Sequence, residues 1–349
     1  MPMSMTDILT SHNNLDHLKC LTSNIEQILQ AGGFFMKPWI YSDQSGRSEL
    51  RGEKIESNTM ILPNQLTEED NKALGLGYTV DDDKLHVMVV VNFSKKKKKM
   101  RLGQDLLKEQ VREQTPDPLT RRELLSQVSG LYDPLGLVAP AKQKGAILIR
   151  RAFQEAKVMY CIEDTWDAAL SRELRDDAIK LLEEYAELSQ VRFPRALTPP
   201  DPAERPCAIT FSDGSECAYG AVLYLRWSCS HGVVVRLVEA KAKLTPLDHK
   251  GDLVKAEMCG AVFAARLKNY FQKHCRIEVK RWYHLVDSQT ILGAIQRESY
   301  GYQTFYANRV GEIQSSTDIR DWWWIPGAEN IADIITRGAS PDDLIKKSK

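Results

Sequence analysis

Four carboxylates, Asp213, Glu257, Asp287 and Asp333, stand where a fold can bring them together. Asp213 closes a short apolar run and is followed by Gly214, and Asp287 closes Arg281-Trp-Tyr-His-Leu-Val286. Glu257 lies near the start of a helical pattern, and Asp333 lies in another just after Pro326-Gly327. Taken alone, Asp213-Gly214 is a turn signal. Taken together, four acids make no apolar core, because unpaired they repel one another and resist burial. Divalent cations relieve that repulsion, and hard oxygen donors suit Mg²⁺ or Mn²⁺ rather than zinc. Two such ions about 3.5–4 Å apart clamp an in-line phosphoryl displacement without any nucleophilic side chain. The chemistry these residues point to is a metal-dependent nuclease.

The elements that must position them follow from periodicity. Strands are expected over 207–211, 218–224 and 232–241, then a helix over 255–271 with Ala256, Cys259, Val262, Phe263 and Leu267 facing a core. A strand over 281–287 follows, a helix opened by Ser288, a helix over 302–314, a short aromatic strand over 319–325 and a last helix over 330–336. The order βββ-α-β-α-α-β-α predicts a mixed sheet with helices on its faces, with sites gathered at strand C-termini. Lys241, Lys243 and Lys250, between the third strand and the acid-bearing helix, read either as contacts to a phosphate backbone or as a solvated loop. Trp322, Trp323 and Trp324 read as an edge strand whose alternate members fill the core, or as platforms for nucleic acid. The dispersed His231, His249, His274 and His284 read as ordinary surface or core residues.

Upstream, Leu15, Leu18, Leu21, Ile25, Ile28 and Leu29 recur at helical spacing and Gly32-Gly33 stops them. A strand over 34–40, a polar linker to 69, and a hairpin of 74–80 with 84–93 turned by Asp81-Asp82-Asp83 are expected next. Lys95, Lys96 and Lys97 open a basic run, read as a solvated loop or a phosphate contact. Thr120 is a plausible N-cap with Glu123 at the capping-box position. The Asp133-Pro and Ala139-Pro steps are expected to break the helix that follows, before helices over 141–156 and 166–190. The Pro-rich stretch 193–204 reads as a linker.

Length, at 349 residues, allows two or three domains, and 43% apolar with 27% charged residues is a globular composition. Formal net charge is zero, but residues 205–349 hold 20 Lys and Arg against 16 Asp and Glu. Seven scattered cysteines without a C-x-x-C pair read as reduced thiols of an intracellular protein, cytoplasmic or nuclear. No apolar run reaches membrane-spanning length, no signal-peptide core is present, and the opening residues read as a chain entered midway.

Ser-Asp213-Gly-Ser-x-x-Ala-Tyr-Gly-Ala, Lys-Ala-Glu257-Met-x-x-Ala, Leu-Val-Asp287-Ser and Glu-Asn-Ile-Ala-Asp333-x-x-(Ser/Thr)-Arg-Gly resemble the motifs of ribonuclease H in retroelements. The resemblance runs from about Cys207 to Gly338. It implies an α/β, ribonuclease H-like mixed five-stranded sheet with flanking helices. It also implies that Asp213, Glu257, Asp287 and Asp333 hold two Mg²⁺ ions, Mn²⁺ being possible, to cut the RNA strand of an RNA/DNA hybrid, with no small-molecule cofactor and no membrane. Arg337 joins the lysines as an expected nucleic-acid contact.

Upstream, Leu119-Thr-Arg-Arg-Glu-Leu-Leu-Ser-Gln-Val-Ser-Gly-Leu-Tyr-Asp-Pro-Leu-Gly-Leu137 resembles the connecting region of BEL/Pao-type retrotransposon Pol polyproteins, a region also filed as a peptidase family. Residues 15–93 look like the tail of a reverse transcriptase. The organisation implied is an α+β reverse-transcriptase remnant over 1–93, a mostly α connecting region over 94–192, the linker 193–204 and a ribonuclease H-like domain over 205–340. The polymerase motif Tyr-x-Asp-Asp is missing; Ser4-Met5-Thr6-Asp7 is its possible remnant, so polymerase activity is expected to be absent. Tryptophans stand where many relatives carry a histidine near the last acid. An aspartic peptidase needs Asp-(Ser/Thr)-Gly, which the chain lacks. The alternatives are a non-catalytic nucleic-acid-binding remnant or a peptidase, and other Pol or Gag products are possible partners.

Overall fold

The computed structural model describes residues 10, 14–34, 39, 72–73, 75–79, 82–94, 96–97, 100–101, 103–160, 166–249 and 251–347. Ser4 to Asp7, the linker to 69, Asp81, Lys95, Lys250 and, apart from Phe34 and Trp39, the strand expected over 34–40 lie outside them. The chain divides into two compact units, 1–84 and 85–349.

In the first unit, α1 (Leu15–Ala31) is capped by Asn14, whose side chain accepts from the His17 amide at 3.0 Å. Ile28 on this helix is largely exposed. Strand β1 (Lys72–Ala73) pairs antiparallel with β2 (Leu76–Thr79). Tyr78 donates its hydroxyl to Asp83 Oδ1 at 2.9 Å, holding the turn in which Asp83 adopts a positive φ of 52°.

In the second unit the strand expected to reach residue 93 ends at Val87. The Gln127 side chain takes the Asn92 amide (3.1 Å) and carbonyl (2.8 Å), leaving that peptide unavailable for a ladder. Lys96 and Lys97 form a two-residue strand paired with Met100–Arg101. Helices α2 (Lys108–Gln114), α3 (Arg121–Val128), α4 (Ala139–Tyr160) and α5 (Arg172–Glu187) follow. Thr120 and Glu123 form the expected capping box on α3. The fully buried Arg121 donates to the carbonyls of Ala152, Ala168 and Ala169, each at 2.9 Å, tying α3 to α4 and to the approach to α5. One expectation is corrected here: Ala139-Pro140 opens a helix instead of breaking one. Proline in a first turn forfeits no helical hydrogen bond, and its φ is already suited to the helix.

The main sheet is built from β3 (Cys207–Gly214), β4 (Ala218–Cys229), β5 (Gly232–Leu244), β6 (Arg281–Val286) and β7 (Trp322–Trp324), in the order β7-β6-β3-β4-β5. Strands β3, β4 and β5 run antiparallel in sequence, while β6 lies parallel to β3 and β7 parallel to β6. Helices α6 (Leu253–His274), α7 (Gln289–Ile295) and α8 (Thr304–Ser316) follow the strands, and the short α9 (Asp333–Arg337) and α10 (Pro341–Lys347) end the chain.

Alternation along β4 separates two cores. Ala221, Leu223, Leu225 and Trp227 pack with Met258, Ala261, Val262 and Ala265 of α6, and with Ile291, Ile295, Val310 and Ile313 of α7 and α8. Val222 and Tyr224 face the other way, where Ala240, Ile335 of α9 and Ala139 of α4 meet them. A helix from before the Pro-rich stretch therefore covers one face of the sheet, and residues 193–204 lie inside the compact unit.

Candidate active site

The register of β3 against β6 positions the first two acids. Ser212 pairs with Val286 in a parallel ladder, so Asp213 and the residue after β6, Asp287, sit at the same level on neighbouring strands. Helix α6 brings Glu257 to the same place by an unusually close approach. A Cβ on Gly260 would lie 2.5 Å from the Asp213 carbonyl oxygen, and one on Gly214 would lie 2.2 Å from the Glu257 amide nitrogen. Only glycines let helix and strand backbones meet this closely. Asp333 arrives on α9, where Thr336 Oγ1 donates to Asp213 Oδ2 at 2.5 Å. Asn330, also buried, donates its amide to the Ser212 carbonyl at 2.9 Å, fixing the segment that leads into α9.

The electrostatics record the convergence. Burial pushes the Asp213 carboxyl above its ordinary pKa; the charges of Asp287 and Asp333 push the same way, against the Thr336 hydrogen bond. Burial likewise pushes Glu257 up, joined by Asp287 and Asp213 and opposed by a hydrogen bond with Ser288. Among the described residues, no cationic side chain is a leading cause of either shift. Arg337 instead pairs with Asp333 at 2.6 Å, one helical turn away.

Among the described residues, no group of three or more His, Cys, Asp or Glu side chains is closed up as a metal site. The donor set nonetheless fits a hard divalent cation. It consists of carboxylate oxygens that share mutual repulsion, with Thr336 donating to Asp213 and Arg337 pairing with Asp333.

Other expected contacts are placed differently. Lys241 lies on β5, where its ammonium pairs with Glu239 at 3.0 Å and sits 5.0 Å over the Tyr270 ring. Asp213 pairs with Gly220 and Gly220 with Ala242, so Lys241 and the exposed Lys243 flank the row of Asp213, two strands away. Trp322 is buried and donates its indole N–H to Thr317, whereas Trp323 and Trp324 stay half-exposed. Trp324 donates its N–H to the Asp287 carbonyl at 2.8 Å, so it borders the acids.

Residue types and spacing assigned no site role to Thr336 or Asn330, and read Ser288 only as the residue that opens a helix. The signal for Thr336 was its i+3 spacing from Asp333, which sets a hydroxyl beside an acid on a helix.

The strand order, the acid-bearing ends of β3 and β6, and helices on both sheet faces define a ribonuclease H-like fold. Residues 120–288 match the model of the Pao retrotransposon-like RNaseH-like domain. The match starts in the helical region, crosses the Pro-rich stretch and ends just after Asp287. Among solved structures, the N-terminal RNase H domain of a Mycobacterium tuberculosis protein, fused to maltose-binding protein, is 14% identical. It covers 41% of this chain and 96% of that one, with a TM-score of 0.27. LC11-RNase H1, isolated from compost by a metagenomic approach and solved with an RNA/DNA hybrid, is 12% identical over 41% of this chain and 99% of its own, with a TM-score of 0.25. A foamy viral protease-reverse transcriptase in complex with double-stranded DNA is 9% identical over 72% of this chain and 37% of its own, with a TM-score of 0.37. No curated protein matches the chain.

Proposed function

We propose that residues 85–349 hydrolyse the RNA strand of RNA/DNA hybrids, with Asp213, Glu257, Asp287 and Asp333 holding Mg²⁺. The observation that carries this reading is the convergence of acids around Asp213, where Asp287 and Asp333 both push its carboxyl up and Glu257 feels Asp213 and Asp287 in turn. When bound, the divalent ions supply Lewis-acid stabilisation of charge on the scissile phosphate and acidify water. The chain's own residues do the positioning. Thr336 orients Asp213, and Asn330 fixes the approach to Asp333. Arg337, exposed and one turn from Asp333, is placed to turn towards a phosphate once the carboxylate is engaged elsewhere. Lys243 and Lys241 extend the basic surface along β5.

On the same reading, residues 1–93 descend from a reverse transcriptase without its polymerase site, and residues 94–192 are the connecting region of a Pol polyprotein. Among the described residues no helix is long and apolar enough to cross a membrane. The test is incubation of the full chain with a labelled RNA/DNA hybrid, with and without Mg²⁺, beside Asp213→Asn. Mg²⁺-dependent cleavage lost in the variant supports the assignment. Equal cleavage by the variant sinks the site, and no cleavage by either favours a binding remnant.

A further inference from the structure

Helix α9 carries Asp333 and Thr336 but is only five residues long. A helix that short has no stability of its own, so its position must come from what it packs against. One side of it faces Asp213 through Thr336. The other side faces α4. Ile335, almost fully buried, packs with Ala139 of α4 and with Val222 and Ala240 of the sheet. At Gly338, which ends α9 with φ at 90°, an added Cβ would come 3.1 Å from Lys144 Cβ and 3.5 Å from the Pro140 carbonyl oxygen.

Helix α4 is in turn fastened to the sheet at its start and again at its middle. Before it, the carboxylate of the buried Asp133 accepts from the amides of Leu137 and Val138, both at 2.9 Å. Gly136 adopts a φ of 71°, and a Cβ there would stand 1.9 Å from the Ala240 carbonyl oxygen. The Ala240 amide donates to the Leu135 carbonyl at 2.9 Å, so this turn also takes up a hydrogen-bonding position on the edge strand β5. Further along, Arg150 Nη1 donates to the Thr245 carbonyl at 2.6 Å.

We propose that α4 and its Asp133-Pro-Leu-Gly136 turn are positioning elements of the active site, clamping α9 so that Asp333 and Thr336 meet Asp213. The nuclease unit then begins in the connecting region, and the Asp-Pro-Leu-Gly stretch, which has no chemistry of its own, is the clip that closes it. The activity arm of the test rests on the hydrolase reading; the exchange arm does not.

The experiment is hydrogen exchange on the full chain carrying Gly136→Ala, whose methyl cannot fit against Ala240. Expected is a rise of about tenfold or more in exchange of α4, of the Ala240 amide and of α9, with α6 on the opposite face unchanged. On an RNA/DNA hybrid, kcat should fall about tenfold while KM stays within about twofold, because clamping affects the reacting groups and not the bulk of the binding surface. If α4 and Ala240 loosen while α9 keeps wild-type protection, the proposal is wrong. A wild-type kcat in a variant with loosened α4 also overturns it. Should Gly136→Ala fail to fold, Ala139→Gly, which removes only the methyl facing Ile335, is read in the same way. The predicted exchange pattern without cleavage by the unaltered chain would uphold the clamp and reject the hydrolase reading.

Discussion

Thr336 and Asp213, 123 residues apart in sequence, share a hydrogen bond in which the threonine hydroxyl donates to the carboxylate at 2.5 Å. Thr336 is fully buried and Asp213 nearly so. A buried carboxylate deprived of its donor pays the desolvation of that oxygen, about 1–3 kcal/mol. Thr336→Val, which keeps the shape and removes the hydroxyl, is expected to lower stability by that amount in urea titrations. It should also reduce cleavage of an RNA/DNA hybrid. Thr336→Ser is expected to recover most of both, since the donor returns.

Repulsion among the acids makes a second prediction. Asp287 raises the pKa of both Asp213 and Glu257, so it is a shared source of the unfavourable charge. In metal-free protein, Asp287→Asn relieves that repulsion and should raise the melting temperature, by about 2–4 °C for each kcal/mol relieved. Mg²⁺ should raise the melting temperature of the unaltered chain by mass action and leave the variant nearly unmoved. Thermal melts with EDTA and with Mg²⁺ distinguish the two. A drop in melting temperature for metal-free Asp287→Asn would show that the acids are not in mutual strain.

His284 gives the pH dependence. It is fully buried on β6, its Nδ1 lies 2.6 Å from Thr210 Oγ1, and its ring stacks on Trp322 at 4.7 Å. Burial, aided by Lys268, pushes its pKa down to about 3. In the unfolded chain it titrates near 6.5. Between those values the unfolded chain takes a proton that the folded chain refuses. Its contribution is therefore present above pH 6.5 and is lost as pH falls towards 3, at up to about 1.4 kcal/mol per pH unit. His284→Gln should flatten this loss between about pH 6 and 4. Asp213 and Glu257, held high, act with the opposite sign, but they are common to both proteins and cancel in the difference. Urea midpoints at stepped pH make the measurement.

The sheet, and the placement of Asp213 and Asp287 on it, were legible because strand alternation, helical spacing and the order of elements are local signals. Asp213 and Asp287 each close an apolar run, and the parallel register that sets them side by side follows from that order. The partners of the acids were less legible. Thr336 is an ordinary helix-face residue type, and its hydrogen bond to Asp213 depends on a contact across the fold. The role of α4 was illegible for the same reason. Residues 193–204 have a linker's composition, while the fit of Gly136 against Ala240 leaves no trace in either local pattern. The Ala139-Pro140 step shows how one residue type carries two meanings, since proline ends a helix from inside and begins one from its first turn.

Gly260 sets two known effects against each other. It lies inside α6, where replacing glycine by alanine normally stabilises by about 1 kcal/mol. Here the new methyl would stand 2.5 Å from the Asp213 carbonyl oxygen, against backbone that cannot rotate away. Overpacking of this kind costs about 1–3 kcal/mol, because helix and strand must separate. The clash outweighs the propensity gain, so Gly260→Ala should lower stability. Since α6 carries Glu257 and β3 carries Asp213, separating them also widens the site. Cleavage of an RNA/DNA hybrid is therefore expected to fall by more than the folded fraction does. Gly293→Ala supplies the control: it is the same change in α7 with nothing within 4 Å of the added methyl, and it should be neutral or stabilising. Equal behaviour of the two variants in urea melts would mean that the close approach of α6 to β3 does not constrain the site.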